Sequence, residues 1–336
     1  MDSHSPLFSV VVPAYNAERF LPTALGSVYR QTVQDFEIVV VNDGSTDNTE
    51  EVLKGERDPR LRFITRENGG ECVARNQGMR EARGKYISFL DSDDAWLPNH
   101  LEQALSFMES HPDVAWFSST LKKVGDIAPG ELPPADCSRE RIAVVNWYLE
   151  AAPRTLPSSV TVRREAVQKY PHLFAEGYKM FGDNIGWCGF AKEHPMVGMS
   201  DTPTALYRYW EGNASSTNNV ASRGVRSKAV EAALARHAEL GREEDCPPEA
   251  RLYYREFALL EWWPCISTAF LPEEEWLADF AARKDVLGFG CTAWLRLWTM
   301  FNSLTLHAMR WGCRMRQLSV HRKMQRLAEK TGHRQN

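Results

Sequence analysis

The sequence predicts an α/β fold: a mostly parallel sheet with helices on both faces, followed by a helical C-terminal region. Two observations carry this. Strand-like and helix-like stretches alternate four times within the first hundred residues, the pattern of a parallel sheet with crossover helices. The strand-like stretches are also nearly continuous apolar runs, as strands covered on both faces must be.

The elements follow in order. Phe8 to Pro13 is the first strand, closed by Ala14-Tyr15-Asn16. A helix follows, with Phe20, Leu21, Ala24, Leu25, Val28 and Tyr29 on one stripe and Pro22 in its first turn. Phe36 to Val41 is the second strand, ending in Asn42-Asp43-Gly44, with Ser45 or Thr46 placed to cap a helix toward Leu53. Leu61 to Thr65 is the third strand, and Glu71 to Ala82 is helical. Tyr86 to Leu90 is the fourth strand and runs directly into Asp91, Asp93 and Asp94.

Those acids are the most informative feature. If strand geometry persists, Asp91 and Asp93 share a face. Adjacent carboxylates repel unless a cation separates them, and Mg²⁺ or Mn²⁺ prefers such oxygens and bridges to phosphates. The competing reading is a helix start, with Asp93 or Asp94 capping a helix over Leu97 to Met108. In sheets of this kind ligands bind at the carboxyl ends of the strands. Tyr15, Asp43, Asn68 and the Asp91/Asp93 pair all stand there. No G-x-G-x-x-G or G-x-x-x-x-G-K-[ST] occurs, so a nucleotide would be held by side chains and a metal instead of a glycine loop.

Beyond this, Val114 to Thr120 reads as a fifth strand. Lys122 to Pro157 is Pro-rich around one expected helix, Ser138 to Glu150, and reads as an insertion or an acceptor-side loop. Ser158 to Val162 is a strand and Arg163 to Tyr170 a helix. Gly177 to Asn184 is loop-like and carries Asp183. Val197 to Met199 and Ala205 to Tyr209 read as two strands, and Glu211 to Asn219 as a polar loop. After Ser222 the pattern is helical. The expected divisions are 1–120, 121–218 and 219–336.

Composition excludes several classes. Apolar content of 43% and charged content of 25% are those of a globular protein. Seven Cys without a C-x-x-C pair argue against a zinc site or a disulfide framework. No signal peptide and no run of about 18 apolar residues is visible. The net charge is −4, yet nine Lys/Arg face only Glu329 from Cys291 onward, so this tail carries +8 and the rest −12. That asymmetry points to an anionic partner for residues 291–336. Trp294, Leu297, Trp298, Phe301, Leu304, Ala308, Trp311 and Met315 form one helical stripe there. Packing on the preceding α/β domain is the first reading of the stripe. A basic amphipathic helix resting on an anionic membrane face is the second. A cytoplasmic protein, peripheral on the inner face of the membrane in the second reading, is expected. Nucleic acid is not an expected partner.

The pieces VVVPAYNAERFLPTALGSVYRQT, FEIVVVNDGSTDNT, ENGGECVARNQGMREARGKYISFLDSDDAWLP, SSVTVRREA, GDNIGW and LYRYWEGNASS, in that order over residues 8 to 218, resemble glycosyltransferase family 2. The resemblance implies a GT-A fold, a Rossmann-like, mostly parallel sheet. It also implies inverting transfer of a sugar from a nucleotide diphosphate sugar to a hydroxyl of a glycan or lipid-linked acceptor. By the same resemblance Tyr15 lies against the nucleobase, Asp43 hydrogen-bonds it, and Pro13, Arg75, Asp91 and Ser92 belong to the donor site. Asp93, with Asp91, holds Mn²⁺ or Mg²⁺, and Asp183 is the catalytic base. Two positions depart from the family: Gly182 replaces the acid that precedes the base, and Trp210 stands where many relatives carry His. The stretch ending in Met309-Arg310-Trp311 is similar to the Q-x-x-R-W of processive members, but His307 stands in place of Gln, so single transfers are expected. Competing readings of single residues are a turn role for Asp43, an (i, i+4) pair with Glu71 for Arg75, a cap for Asp183, and core packing for Trp187. A sugar-nucleotide pyrophosphorylase ranks well below, because its Gly-rich signature is missing. A non-catalytic sugar-nucleotide-binding module is the alternative of a different class.

Overall fold

The structure is a computed structural model and describes residues 5–127, 131–135, 141–178, 181–209, 233, 235–237, 239–257, 319, 322–324 and 326–327. The expectations for Trp210, for the 211–219 loop and for the amphipathic stripe of the tail lie outside the described residues. The chain divides into two compact units, one of 1–147, 154–210 and 333–336, the other of 148–153 and 211–332.

The first unit is built on one nine-stranded sheet. Strands β1 (Phe8–Ala14), β2 (Phe36–Asn42), β3 (Leu61–Thr65) and β4 (Tyr86–Phe89) form its parallel half, in the order β3-β2-β1-β4. Every residue of β1 and β2 is buried, as their apolar runs require. On one face Val10, Val12, Ile38 and Val40 pack against Leu21, Leu25 and Val28 of α1 (Leu21–Tyr29). On the other face Gly78 of α3 (Glu71–Glu81) brings its helix close to β1: a Cβ at Gly78 would stand 2.5 Å from Val11 Cγ1.

The sheet continues with β8 (Val160–Arg163), antiparallel to both β4 and β6 (Trp116–Val124), then β9 (Met196–Arg208) and β5 (Ala95–Trp96). It is therefore mixed beyond its parallel half. β9 is one long strand where two short ones were expected; its register against β6 shifts between Ser118 and Leu121. The helix expected over 138–150 is instead a strand, β7 (Ile142–Asn146), followed by a π-helical turn, Trp147–Ala151. Ile142, Val144 and Val145 are β-branched, and β9 offers them an antiparallel edge. The expected helix from Arg163 shortens to α5 (Arg164–Val167).

Two helix starts also differ. α2 begins at Thr49 and runs to Gly55. Ser45 and Thr46 do not cap it: Ser45 Oγ accepts the Asn16 amide and Thr46 donates to Asn16 Oδ1. Asp47 Oδ1 takes the Thr49 amide instead. α4 (His100–Ser110) starts after Asn99, well past the aspartates.

In the second unit, α7 (Pro248–Phe257) is described and agrees with the helical reading of this region. Its Tyr253 and Tyr254 pack on Tyr148 and His237.

Candidate functional site at the carboxyl edge of the parallel strands

The ends of β1, β2 and β4 lie side by side, and their loops are tied to one another. Asn16, just past β1, adopts left-handed geometry (φ 49°), which Asn tolerates. Its side chain and amide join the β2–α2 loop at Thr46 and Ser45. Tyr15 beside it is 51% exposed and so is not a core aromatic. Pro13 is buried within β1, in register with Val41.

Asp43 follows β2 and is 2% exposed. Its carboxylate accepts the Gly69 and Gly70 amides, with Gly70 at 2.7 Å, and pairs with Arg66 Nε at 3.2 Å. Asp43 thus anchors the loop that leads into α3. Gly44 has φ +72°, and a Cβ there would stand 2.7 Å from the Asn68 amide nitrogen. A glycine at position 44 is therefore required by the close passage of that loop.

Strand geometry stops at Phe89. Residues 91–94 form a turn closed by the Asp94 amide on the Asp91 carbonyl, 3.0 Å. The alternation argument for a shared face of Asp91 and Asp93 does not apply to a turn. What brings these acids together is the turn itself. Asp91, Ser92 and Asp93 are partly exposed, whereas Asp94 points inward and is 1% exposed. Asp94 does not cap a helix: its carboxylate accepts Ser158 Oγ at 2.6 Å and the Arg208 amide at 3.0 Å. Burial, and then the charges of Asp91 and Asp93, push its carboxyl well above the ordinary carboxylate range.

Arg75 joins the pieces. Its guanidinium is buried, pairs with Glu71 one turn back on α3, and donates to Asp91 Oδ1 at 2.7 Å. The helix-face pair and the contact with the site acid are therefore both present. Phe174 lies beneath, 5.4 Å from the guanidinium carbon to the ring centre.

Asp183 occupies the first turn of α6 (Gly182–Glu193) and not a free loop. Burial raises its carboxyl above the usual range, the Arg75 charge opposes that, and Asp91 adds to it. Asp183, Arg75 and Asp91, far apart in sequence, thus act on one another. The glycine ahead of Asp183 has a steric reason: a Cβ at Gly182 would lie 2.5 Å from Cys72 Sγ and 2.7 Å from the Ala175 carbonyl oxygen. That Cys72 thiol, pushed up to about 12 by burial and by the neighbouring carboxylates, acts as packing. Trp187 is fully buried against Phe89, Phe174, Trp116 and Phe190, so it belongs to the core.

Sequence reasoning missed Ser158, Asn76 and Arg208. Asn76 exchanges hydrogen bonds with the Phe174 backbone at 2.8 and 2.9 Å, holding the segment ahead of α6 on α3. Ser158 and Arg208 sit in the motif pieces SSVTVRREA and LYRYW, but only the fold shows that they meet the aspartate turn. Among the described residues no group of three or more His, Cys, Asp or Glu is arranged to hold a metal by itself.

With this geometry in view, the comparisons are specific. The glycosyl transferase family 2 profile matches residues 9–155. An uncharacterized glycosyltransferase of Rickettsia bellii is 42% identical over 193 residues, 57% of this chain and 27% of that protein. The putative teichuronic acid biosynthesis glycosyltransferase TuaG of Bacillus subtilis is 40% identical over 111 residues, 32% of this chain and 44% of that protein. This chain thus spans about a quarter to under half of the length of these relatives. Among solved structures, S. aureus TarS 1–349 in complex with UDP-GlcNAc superposes with a TM-score of 0.64 at 20% identity, over 97% of this chain and 92% of that one. The mannosyltransferase PcManGT of Pyrobaculum calidifontis, in complex with GDP-Man and Mn²⁺, superposes with a TM-score of 0.56 at 17% identity, over 95% and 88%. Sheet and profile match agree: residues 9–155 match glycosyl transferase family 2, and the fold is the one these solved glycosyltransferase structures share.

Proposed function

We propose that this protein is an inverting, metal-dependent, non-processive glycosyltransferase. It moves one hexosyl group from a nucleotide diphosphate sugar, a UDP-sugar in first place, to a hydroxyl of a glycan or lipid-linked acceptor in cell-surface polysaccharide synthesis. The observation that carries this reading is the meeting of Asp91, Arg75 and Asp183 at one sheet edge. Arg75 is paired with Asp91 and its charge also acts on Asp183, which supports reading these two acids as donor-side acid and base. The Mn²⁺ and the nucleotide sugars held by the superposed neighbours support the same chemistry.

The residues fit a divalent cation. Three carboxylates crowd one turn, and burial, then the charges of Asp91 and Asp93, raise the Asp94 carboxyl. Asp91 and Asp93 stay partly exposed. Two carboxylates completed by substrate phosphates and water are the usual setting for Mg²⁺-type ions. Asp93 and Asp91 would hold the ion, which supplies an offset to the charge growing on the departing diphosphate.

The protein's own groups do the rest. Tyr15 offers its exposed ring to the nucleobase, with Pro13 and Asp43 shaping the floor beside it. Ser92 holds the donor from the aspartate turn, and Arg75 holds it from α3 beside that turn. Asp183 takes the proton of the acceptor hydroxyl as its oxygen bonds to the anomeric carbon. The bond from that carbon to the diphosphate oxygen breaks on the opposite side, and the nucleoside diphosphate leaves with the electron pair. A carboxyl raised by burial is better matched to that proton than an ordinary aspartate.

A binding module without turnover is the second reading, favoured by Gly182 where relatives carry an acid. A thermal-shift screen of nucleotide sugars with Mn²⁺ names the donor. Release of free nucleoside diphosphate from that donor then separates the two readings, since a binding module releases none.

A further inference from the structure

Arg208 ends β9 with its guanidinium buried. Nε donates to the Asp93 carbonyl at 2.7 Å. Nη1 donates to Asp126 Oδ1 at 2.6 Å and to the Ile127 carbonyl at 2.9 Å. Its backbone amide donates to Asp94 Oδ1 at 3.0 Å. The guanidinium lies over the Phe20 ring, 4.8 Å from its centre. Asp126 is half exposed and pairs also with Arg19, which is more exposed still.

One residue therefore grips the aspartate turn twice, by the Asp93 carbonyl and by the Asp94 carboxylate. Arg75 grips it from the other side through Asp91. A turn of three acids would spread under its own repulsion, and two cations on opposite flanks oppose that. Only a planar fork with several donors can serve two carbonyls and a carboxylate at once, so lysine is no substitute.

We propose that Arg208, with Asp126 as its counter-ion, is a positioning residue that fixes the Asp91–Asp94 turn in the shape that presents Asp91 and Asp93 to a divalent cation. This rests on the reading of Asp93 and Asp91 as the residues that hold the ion. Arg208 touches neither ion nor sugar; it acts through the turn.

The test is Mn²⁺ affinity, read from the electron paramagnetic resonance of free Mn²⁺ with UDP present. Loss of a group that orients metal-binding residues costs about tenfold to a hundredfold in metal affinity. Arg208→Lys is expected at about tenfold or more, and Asp126→Asn shifts in the same direction by less. UDP binding without metal and the melting temperature of Asp126→Asn stay near wild type. A merely structural arginine would lower the melting temperature and leave the affinity of the folded protein unchanged, and that result overturns the inference. If Arg208→Lys does not fold, wild-type Mn²⁺ affinity in Asp126→Asn overturns it alone. Wild-type protein that binds no Mn²⁺ with UDP removes the metal reading itself, and this inference with it.

Discussion

At the scale of single residues, Asp183 sets a trade between stability and chemistry. Its carboxyl holds a proton more tightly in the folded protein than in the unfolded chain, because burial outweighs the Arg75 charge. Above that raised value the ionised form costs folding free energy. As pH falls through it toward the ordinary carboxylate value the cost disappears. Asp183→Asn should therefore raise the melting temperature of the ligand-free protein at neutral pH, with the gain shrinking as pH is lowered. A gain that grows with acid would contradict the assignment. The same carboxyl must be ionised to act as base, so transfer should fall on the acid side before an ordinary aspartate would titrate. Glu193, another acid of this half, is exposed and paired with Lys169, and so is a poor candidate for the role. Gly182→Ala should cost about 1–3 kcal/mol by overpacking, because the Ala175 carbonyl that its Cβ meets is backbone and cannot swing away. A melting temperature equal to wild type would show that this contact relaxes freely.

At the scale of elements, the parallel half was legible because its strands are buried on both faces and so are written as apolar runs with polar ends. Phe36 to Asn42 followed by Asp43-Gly44 is the clearest case. What was not legible depends on partners distant in the chain. Ile142 to Val145 become a strand because β9 offers an edge, and nothing local records that. Ser45 looked like a cap, but Asn16 takes it. Asp94 looked like a helix start and is a buried anchor, because Ser158 and Arg208 come to it from far along the chain. That Tyr15, Asp43 and Asp91 follow neighbouring strands was legible in the sequence; what each of them contacts needed distances. α6 belongs here as well, since it delivers Asp183 on a helix fixed by Trp187. Trp187→Ala should cost about 3–5 kcal/mol, as for other buried aromatics, read as a shift of the denaturation midpoint. Trp187→Phe should recover much of it. If Trp187→Ala lost donor binding at unchanged stability, Trp187 would be a sugar platform after all.

At the scale of the whole molecule, the opposed charges of the tail and the rest ask for a measurement in solution. Basic residues near an anionic membrane contribute about 1 kcal/mol each and lose it as salt rises. The protein is expected to pellet with anionic liposomes at low salt and to be released at high salt. Changing Arg310, Arg314 and Arg316 to Glu should free it and leave hydrolysis of a soluble donor untouched. Indifference of wild type to anionic vesicles would assign the tail to packing. No helix among the described residues is long and apolar enough to cross a membrane. One sheet edge is proposed both to hold a nucleotide diphosphate sugar and to transfer the sugar by way of Asp183. The most direct measurement is nucleoside diphosphate release with Mn²⁺ and the donor found by the screen, in wild type and in Asp183→Asn, with donor binding measured on both. Turnover is expected in wild type, and in the variant unchanged donor binding with a loss of about 10²-fold or more, the usual share of general base catalysis. A variant that turns over within a few-fold of wild type would contradict it.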